Sequence, residues 1–432
     1  MMNFQRTGLL CVSSLAALLT LSACKDASEK SGETGQAEAS PSARELPNLS
    51  GKLREIADQQ AGKNRGFIVH VRLDDGQEWT ETAGTRSEGG AKTTGEEHFE
   101  IGSASKLFTS VSILQLWETD ALDLEAPLTD FFDSELLAVL VGGEKGDASK
   151  LKVRHLLNHS TGMGDYINIG TDAEAIKMYG VKGDRVYKPM ELVELCKNYT
   201  ENPSLLPEDH PPLPWETLRG DTPEETLEDY DDMPGAFYSN TGYIMLGIII
   251  EKASGMKYQE YVKQNILDPL KLNGIGFGSL GAKSDFTGYA TGVVTGPVAI
   301  SPSFAWNAGE LIATTSDLAD FIDAALAGKL FKKESTLALW KTKGFLPLMG
   351  VDFLPKYGHG LMRKTAGDLE IFGHDGQTFG ATALVARCEK LGATIVLARN
   401  DSQQSLMWTT AVGVLGTLKE ELEAQDAAKT TQ

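Results

Sequence analysis

Positive charge is scarce in this chain: 40 Lys and Arg stand against 60 Asp and Glu in 432 residues, a formal net charge of −20. No basic stripe is left to displace counterions from phosphates, which excludes nucleic acid as a partner, and the same deficit excludes electrostatic binding to an anionic membrane. Cysteine is nearly as rare, with four residues. Cys11 and Cys24 lie in the N-terminal segment. Cys196 falls in a helical pattern over 190–196 and Cys388 at a strand end; nothing marks them as partners, so two free thiols are expected. No internal repeat is present, and no Gly-x-Ser-x-Gly surrounds any serine, which removes the nucleophile elbow of α/β-hydrolases. His155 and His159 stand four apart, but no Glu follows His155 as a zinc-protease helix requires, so no metal is expected. Gly276-Phe277-Gly278-Ser279-Leu280-Gly281 matches a dinucleotide fingerprint without a leading strand or an acid about 20 residues on, so no cofactor is expected either.

What is present begins with an address. Arg6 precedes a short apolar run, 9–21, rich in Leu and Ala. A bilayer-spanning helix needs about 20 residues, so 1–23 reads as a signal peptide rather than as structure. It ends in Leu21-Ser22-Ala23-Cys24, which resembles the lipobox of bacterial lipoproteins: small residues for a signal peptidase, then a thiol to carry diacylglycerol. Export, membrane attachment through a lipid anchor at Cys24, and a place in the cell envelope, with Lys25 favouring the outer membrane, are the expectations. Residues 24–46 are polar and small, as a flexible tether would be.

With 41% hydrophobic residues the chain has enough apolar surface for a sizeable core. A β-branched stretch at 67–73, the turn Asp74-Asp75-Gly76 and an alternating stretch at 78–82 predict a β-hairpin. From Ser103 to Thr119, Leu107, Val111, Leu114 and Leu116 recur at helical spacing. Further helices are predicted at 153–157, 189–198, 241–253, 258–266, 316–327 and 332–340. Strands are predicted at 370–372, 382–386 and 394–398, and a closing helix at 404–424. Strands at both ends with helices between them predict an α+β fold. Its antiparallel sheet is built from both chain ends and flanked by the first long helix and the last, with a mainly helical middle lobe beside it. The segment 200–235 is apart: seven prolines from Pro203 to Pro234 and an acidic run at 224–232 leave no helix, only a loop. A solvated insertion and a lid over the cleft both remain open for it. Residues 426–432 are expected to be a disordered tail.

The chemistry is concentrated where the first long helix begins, at Gly102-Ser103-Ala104-Ser105-Lys106. Ser103 and Lys106, three apart, share a helix face. The helix start favours developing negative charge. A serine hydroxyl needs a neighbouring base, and a desolvated lysine of lowered pKa can serve. Phe99-Glu100-Ile101-Gly102-Ser103-Ala104-Ser105-Lys106-Leu107-Phe108-Thr109 resembles the first active-site motif of class C β-lactamases and the related serine D-alanyl-D-alanine carboxypeptidases and esterases. The resemblance continues in order. Val153-Arg154-His155-Leu156-Leu157-Asn158-His159-Ser160-Thr161-Gly162 is similar to that family's structural stretch, Tyr238-Ser239-Asn240 to its Tyr-x-Asn motif, and His374-Asp375-Gly376 to its Lys/His-x-Gly strand. It spans 48–402, so 47–425 is expected to be one β-lactamase/DD-peptidase-like domain.

The resemblance implies roles. Ser103 attacks the carbonyl; Tyr238, made phenolate by the adjacent cation, accepts or relays the proton; Lys106 orients both. Asn240 donates toward Lys106's surroundings or the substrate carbonyl, and His374 places a donor near Tyr238. Gly376 lets substrate lie along the strand edge as an added strand. The N–H groups of Ser103 and Gln377 form the oxyanion hole. Asp375 and Gln377 depart from the family's usual residues. Strand alternation turns Asp375 away from the pocket, yet its charge places specificity for a free C-terminal carboxylate in question. The implied activity is acyl-enzyme hydrolysis of an amide or ester, first as a D-Ala-D-Ala carboxypeptidase-like peptidase of the cell envelope. A carboxylesterase or class C-type β-lactamase is the alternative. A non-catalytic lipoprotein that binds peptidoglycan or protein is the reading from another class, against which the intact Ser103, Lys106, Tyr238 and Asn240 weigh.

Overall fold

The computed structural model describes residues 46–430 apart from 62–64, 143–147, 168–175, 177–184, 202–234, 291–292, 294, 349–354 and 403–406. The signal, the tether with Cys24 and nearly all of the 200–235 insertion therefore lie outside the described residues. The chain enters through helix α1 (Leu49–Ala61) and the hairpin of β1 (Phe67–Leu73) and β2 (Glu78–Ala83). A short strand, β3 (Phe99–Glu100), and a 3-10 turn at Gly102–Ser105 lead into α2 (Lys106–Glu118). The middle carries α3 (Ser134–Leu140), α4 (Val153–Leu157), α5 (Pro189–Glu201), α6 (Asn240–Ser254) and α7 (Tyr258–Val262). Two short strands, β4 (Gly276–Phe277) and β5 (Leu311–Ala313), precede α8 (Thr315–Leu326) and α9 (Glu334–Thr342). The chain closes with β6 (Lys356–Tyr357), β7 (Met362–Ala366), β8 (Leu369–Gln377), β9 (Thr382–Cys388), β10 (Ala393–Arg399) and α10 (Met407–Thr430).

The two ends of the chain meet in one antiparallel sheet, as predicted, in the order β2-β1-β10-β9-β8-β7-β6. β1 and β10 pair over their full length, from Phe67 opposite Arg399 to Leu73 opposite Ala393. Side chains alternate across a strand, so each face collects its own set. Ile68, Phe372, Ala383, Val385, Val396 and Ala398 pack with α2, α6 and α8, where Phe108 stacks on Phe321 at 3.7 Å. Phe67, Val69, Val71, Ile371, Leu384, Ile395 and Leu397 pack with α1 and α10. Leu49 and Leu53 are fully buried there, and truncating such a leucine to Ala costs about 2–5 kcal/mol. A second sheet, β3-β5-β4, pairs Phe99 with Ala313 and Glu100 with Ile312, and so fixes the approach to the Gly102–Ser105 turn.

Some elements differ from the prediction. α1 has no counterpart in it, because the Leu49, Leu53, Ala57, Ala61 row rests half on alanine. α10 continues to Thr430, through Ala and Gln residues that favour helix, where a tail was expected from 426. Cys196 and Cys388 are free and buried. Among the described residues no helix is long and apolar enough to cross a membrane.

Candidate active site

Sequence places Ser103 and Lys106 together; the fold brings Asn240, Ala308 and Tyr238 around them. Lys106 is fully buried, and its Nζ lies 3.0 Å from Ser103 Oγ, 2.7 Å from Asn240 Oδ1 and 2.9 Å from the Ala308 carbonyl. Burial pulls its pKa down to about 7, against the charges of Asp165 and Asp375, which pull it up. The three contacts suit the neutral amine well. Asn240 Oδ1 and the Ala308 carbonyl can only accept, so they take its two N–H bonds, and the lone pair is left for the Ser103 hydroxyl proton. That is the geometry of a general base on its nucleophile.

Asn240 opens α6, whose N-cap Ser239 accepts from Gly242 N–H. Its amide is fixed in direction. Nδ2 donates to Asp165 Oδ2 at 2.8 Å, the backbone N–H donates to the same oxygen at 3.1 Å, and Oδ1 is left for Lys106. Asn240 is thus an acceptor for the lysine, and its amide N–H donates into the lysine's surroundings, to Asp165. Asp165, absent from the sequence prediction, is what turns it.

Tyr238 lines the cavity beside Ser103, with Lys106 Nζ 4.9 Å from its ring centre. Burial pushes its phenol well above the ordinary value of 10, and the neighbouring Ser103 pulls the other way. The hydroxyl is buried with no partner at hydrogen-bond geometry. Desolvation thus favours the neutral phenol as its resting form, rather than the phenolate expected. Such a group is suited to passing a proton on, with Lys106 as the base.

His374 does not line the cavity. Its Nδ1 faces the Asp375 carbonyl, which can only accept, so Nδ1 carries the proton, and Nε2 lies 3.0 Å from the Tyr357 hydroxyl, which also reaches the Tyr243 hydroxyl. Burial pushes its pKa down to about 3. The expected donor beside Tyr238 is thus a neutral ring that meets Tyr238 only through Tyr357, whose ring stands edge-on to it at 5.7 Å.

Gly376 has a different part from the one expected. A Cβ there would press into the Ile101 carbonyl and lie 2.6 Å from Ser103 N, while a Cβ on Gly102, which has φ 49°, would lie 2.8 Å from Gln377 N. Two glycines let β8 sit directly on the nucleophile's turn. Thr378 N–H bonds to the Ala381 carbonyl, so by antiparallel alternation Gly376 turns its backbone groups to β9, and Asp375 and Gln377 turn theirs to the opposite edge. β7 covers that edge only as far as Gly373. Asp375 and Gln377, not Gly376, therefore offer the open strand edge, and Gln377 N–H faces the side where an oxyanion hole with Ser103 N–H requires it.

The cavity at this edge has a volume of about 380 Å³. Ile300, Phe304 and Phe379 line it from one core, Leu348 and Met362 from the other. Asp375 borders it at 2% exposure, with its side chain on the Leu384 face as alternation predicts, and Lys106 and Tyr238 both sense its charge. Glu100, bonded by Thr378 Oγ1 at 2.6 Å, lines it as well. Among the described residues no Arg, Lys or His does.

His155 and His159 face separate duties: His155 Nδ1 accepts from Lys152 N–H at the start of α4, and His159 Nδ1 accepts from Ser239 N–H. Gly276–Leu280 forms β4 and a 3-10 turn of the second sheet.

Known proteins are similar to this chain in sequence and in fold. The pattern of the Beta-lactamase family matches residues 53–414. Penicillin-binding protein 4* of Bacillus subtilis is 30% identical over 179 residues, 40% of this chain and 29% of that protein. The serine beta-lactamase-like protein LACTB of Homo sapiens is 24% identical over 339 residues, 66% of this chain and 57% of that protein. This chain thus spans less than two thirds of either relative's length. Among solved structures, a D-stereospecific amidohydrolase from Streptomyces sp. is similar with a TM-score of 0.63 at 25% identity, covering 82% of this chain and 94% of that one. D-amino acid amidase from Ochrobactrum anthropi SV3 is similar in fold with a TM-score of 0.66 at 22% identity, covering 87% and 99%. With Ser103, Lys106, Tyr238 and Asn240 assembled at one sheet edge, and with that match over most of its length, the chain belongs to the Beta-lactamase family, whose members are serine hydrolases.

Proposed function

We propose that this chain acylates Ser103 with a small amide or ester, as a peptidase or amidase of the D-Ala-D-Ala kind, and works in the cell envelope from a lipid anchor at Cys24. The observation that carries the reaction is the buried Lys106 Nζ held by two obligate acceptors, Asn240 Oδ1 and the Ala308 carbonyl, with Ser103 Oγ as its third contact at 3.0 Å. Ser103 Oγ gives its proton to Lys106 as it bonds to the carbonyl carbon. The oxyanion is held by Ser103 and Gln377 N–H groups, each such donor worth about 2.7–4 kcal/mol. Tyr238 passes the proton to the leaving amine or alcohol as the C–N or C–O bond breaks. Water then repeats the sequence in reverse to free the acid. The lipid anchor rests on Leu21-Ser22-Ala23-Cys24 and the polar stretch after it.

The cavity favours one form of substrate. A free carboxylate beside the scissile bond would meet Asp375 and Glu100 and find no cation among the described lining residues. The amide or ester lacking that carboxylate fits better than a carboxypeptidase substrate, and the apolar wall of Ile300, Phe304 and Phe379 suits an apolar acyl group. The likeness to a D-stereospecific amidohydrolase supports a D-amino acyl group. Intact-mass measurement after exposure to a fluorophosphonate and a β-lactam is expected to show an adduct that Ser103→Ala abolishes, with the variant still folded. A D-Ala-D-Ala peptide amide should be cleaved at least about tenfold faster than its free acid, the order of cost of an unpaired charge. Labelling that survives Ser103→Ala overturns the nucleophile; faster cleavage of the free acid overturns the substrate form.

A further inference from the structure

The stretch 153–162, similar to a structural motif, contains a histidine that the reaction above does not use. His159 is 1% exposed and has φ 59°, a left-handed conformation rare outside glycine and kept only where the surroundings impose it. The surroundings here are one short piece of chain. The His159 carbonyl accepts from Phe237 N–H at 2.8 Å. Its Nδ1 accepts from Ser239 N–H at 3.1 Å. Between these two anchors lies Tyr238, whose ring centre is 4.3 Å from the imidazole at a tilt of 37°. The backbone on both sides of Tyr238 is thus tied to a single residue, and the phenol rests on that residue's ring.

The protonation of the ring follows from the geometry. Nδ1 accepts, so the proton is on Nε2, and Nε2 is buried without a hydrogen-bond partner. Around it stand the rings of Tyr238, Tyr357 at 4.5 Å and Tyr243 at 5.0 Å. Burial holds the ring neutral; an imidazolium could not accept from Ser239. An orphaned buried donor in a rare backbone conformation is a local cost, and such costs gather where a site must be held in one geometry. Tyr238 is that site. Its hydroxyl faces Ser103, and the direction of the phenol is set by the backbone at 237–239 and by the ring beneath.

We propose that His159 is the positioning residue of the proton carrier: its carbonyl and Nδ1 clamp the two residues flanking Tyr238, and its ring sets the plane of the phenol over Ser103. The inference rests on the reading of Tyr238 as the group that passes the proton. His159 touches neither substrate nor reacting atoms and acts only through Tyr238.

The test is a double-mutant cycle on p-nitrophenyl acetate hydrolysis, read as kcat and KM separately, with thermal unfolding of each variant. Tyr238→Phe is expected to lower kcat by about 10²–10⁴-fold with KM nearly unchanged. His159→Gly removes the Nδ1 half of the clamp and the ring, keeps the carbonyl and relieves the backbone strain, and is expected to lower kcat by about 10–100-fold, the order of loss for a misplaced catalytic group. His159→Asn keeps an acceptor at the same bond distance and tolerates the left-handed conformation but lacks the ring, so it is expected to restore kcat in part. In the Tyr238→Phe background His159→Gly should have no further effect. A large Tyr238→Phe loss to which His159→Gly adds its full factor overturns this inference alone, as does His159→Gly at wild-type kcat. Equal turnover by wild type and Tyr238→Phe overturns the reading of Tyr238 and this inference with it. Where His159→Gly does not fold, the pair His159→Asn and His159→Gln decides: Gln sets the acceptor one bond further out, and equal kcat in the two sinks the clamp.

Discussion

Lys106 holds its proton loosely because no water reaches it, and the consequence is a pH dependence with a definite sign. Its neutral form is the base. With a pKa pulled down to about 7, the amine is regained as pH rises through 7 and lost as pH falls below it. kcat/KM is therefore expected to climb about tenfold per unit below that point and to level off above it, measured across pH 5–9 on an ester. A flat profile through pH 7 would mean that Lys106 stays charged and another group takes the proton. At this scale the sequence was readable where residues follow one another: Ser103 and Lys106 on one turn, Tyr238 and Asn240 two apart. It was unreadable where the partner is a backbone atom or a lone residue of common type. The Ala308 carbonyl leaves no trace in residue identity, and Asp165 and Tyr357 belong to no pattern.

Between elements, the decisive contact is β8 against the turn before α2, made by Gly102 and Gly376. A methyl at Gly376 has backbone on several sides, with Ser103 N at 2.6 Å, and none of it can swing away as a side chain would. Gly376→Ala is expected to destabilise by about 1–3 kcal/mol or more and to abolish acylation, because the strand must leave the turn to make room. Gly51, inside α1 with nothing near its absent Cβ, supplies the contrast: Gly51→Ala should gain about 0.5–1 kcal/mol and leave acylation intact. Urea unfolding of the two variants checks both signs, and a neutral Gly376→Ala would remove close packing as the reason for glycine there. The long strands β1, β9 and β10 and the longer helices other than α1 were legible because apolar period and length agree. β3, β4, β5 and β6, of two or three residues each, are too short to carry a period, and they exist because long-range pairing imposes them.

For the molecule as a whole, the sequence showed that strands at both ends close one sheet, since an apolar strand pair at each end has few other ways to be covered. It did not show the strand order, which depends on which edges are compatible in register. The N-terminal address remains a prediction about location. Cys24→Ala is expected to move the protein from the membrane fraction to the soluble fraction without loss of specific activity, since the hydrolase site is built wholly from residues beyond Glu97. Equal membrane partitioning of the variant would sink the lipid anchor.

The seating of Ser103 against Gln377 also bears on how the protein is made. Translation proceeds at about 5–20 residues per second, so the nucleophile leaves the ribosome on the order of tens of seconds before the strand that completes its oxyanion hole. β1 waits equally long for β10. A nascent or prematurely terminated chain therefore carries Ser103 and Lys106 side by side without a hydrolytic site. The cell that synthesises this protein is shielded from its chemistry until the last strands are in place.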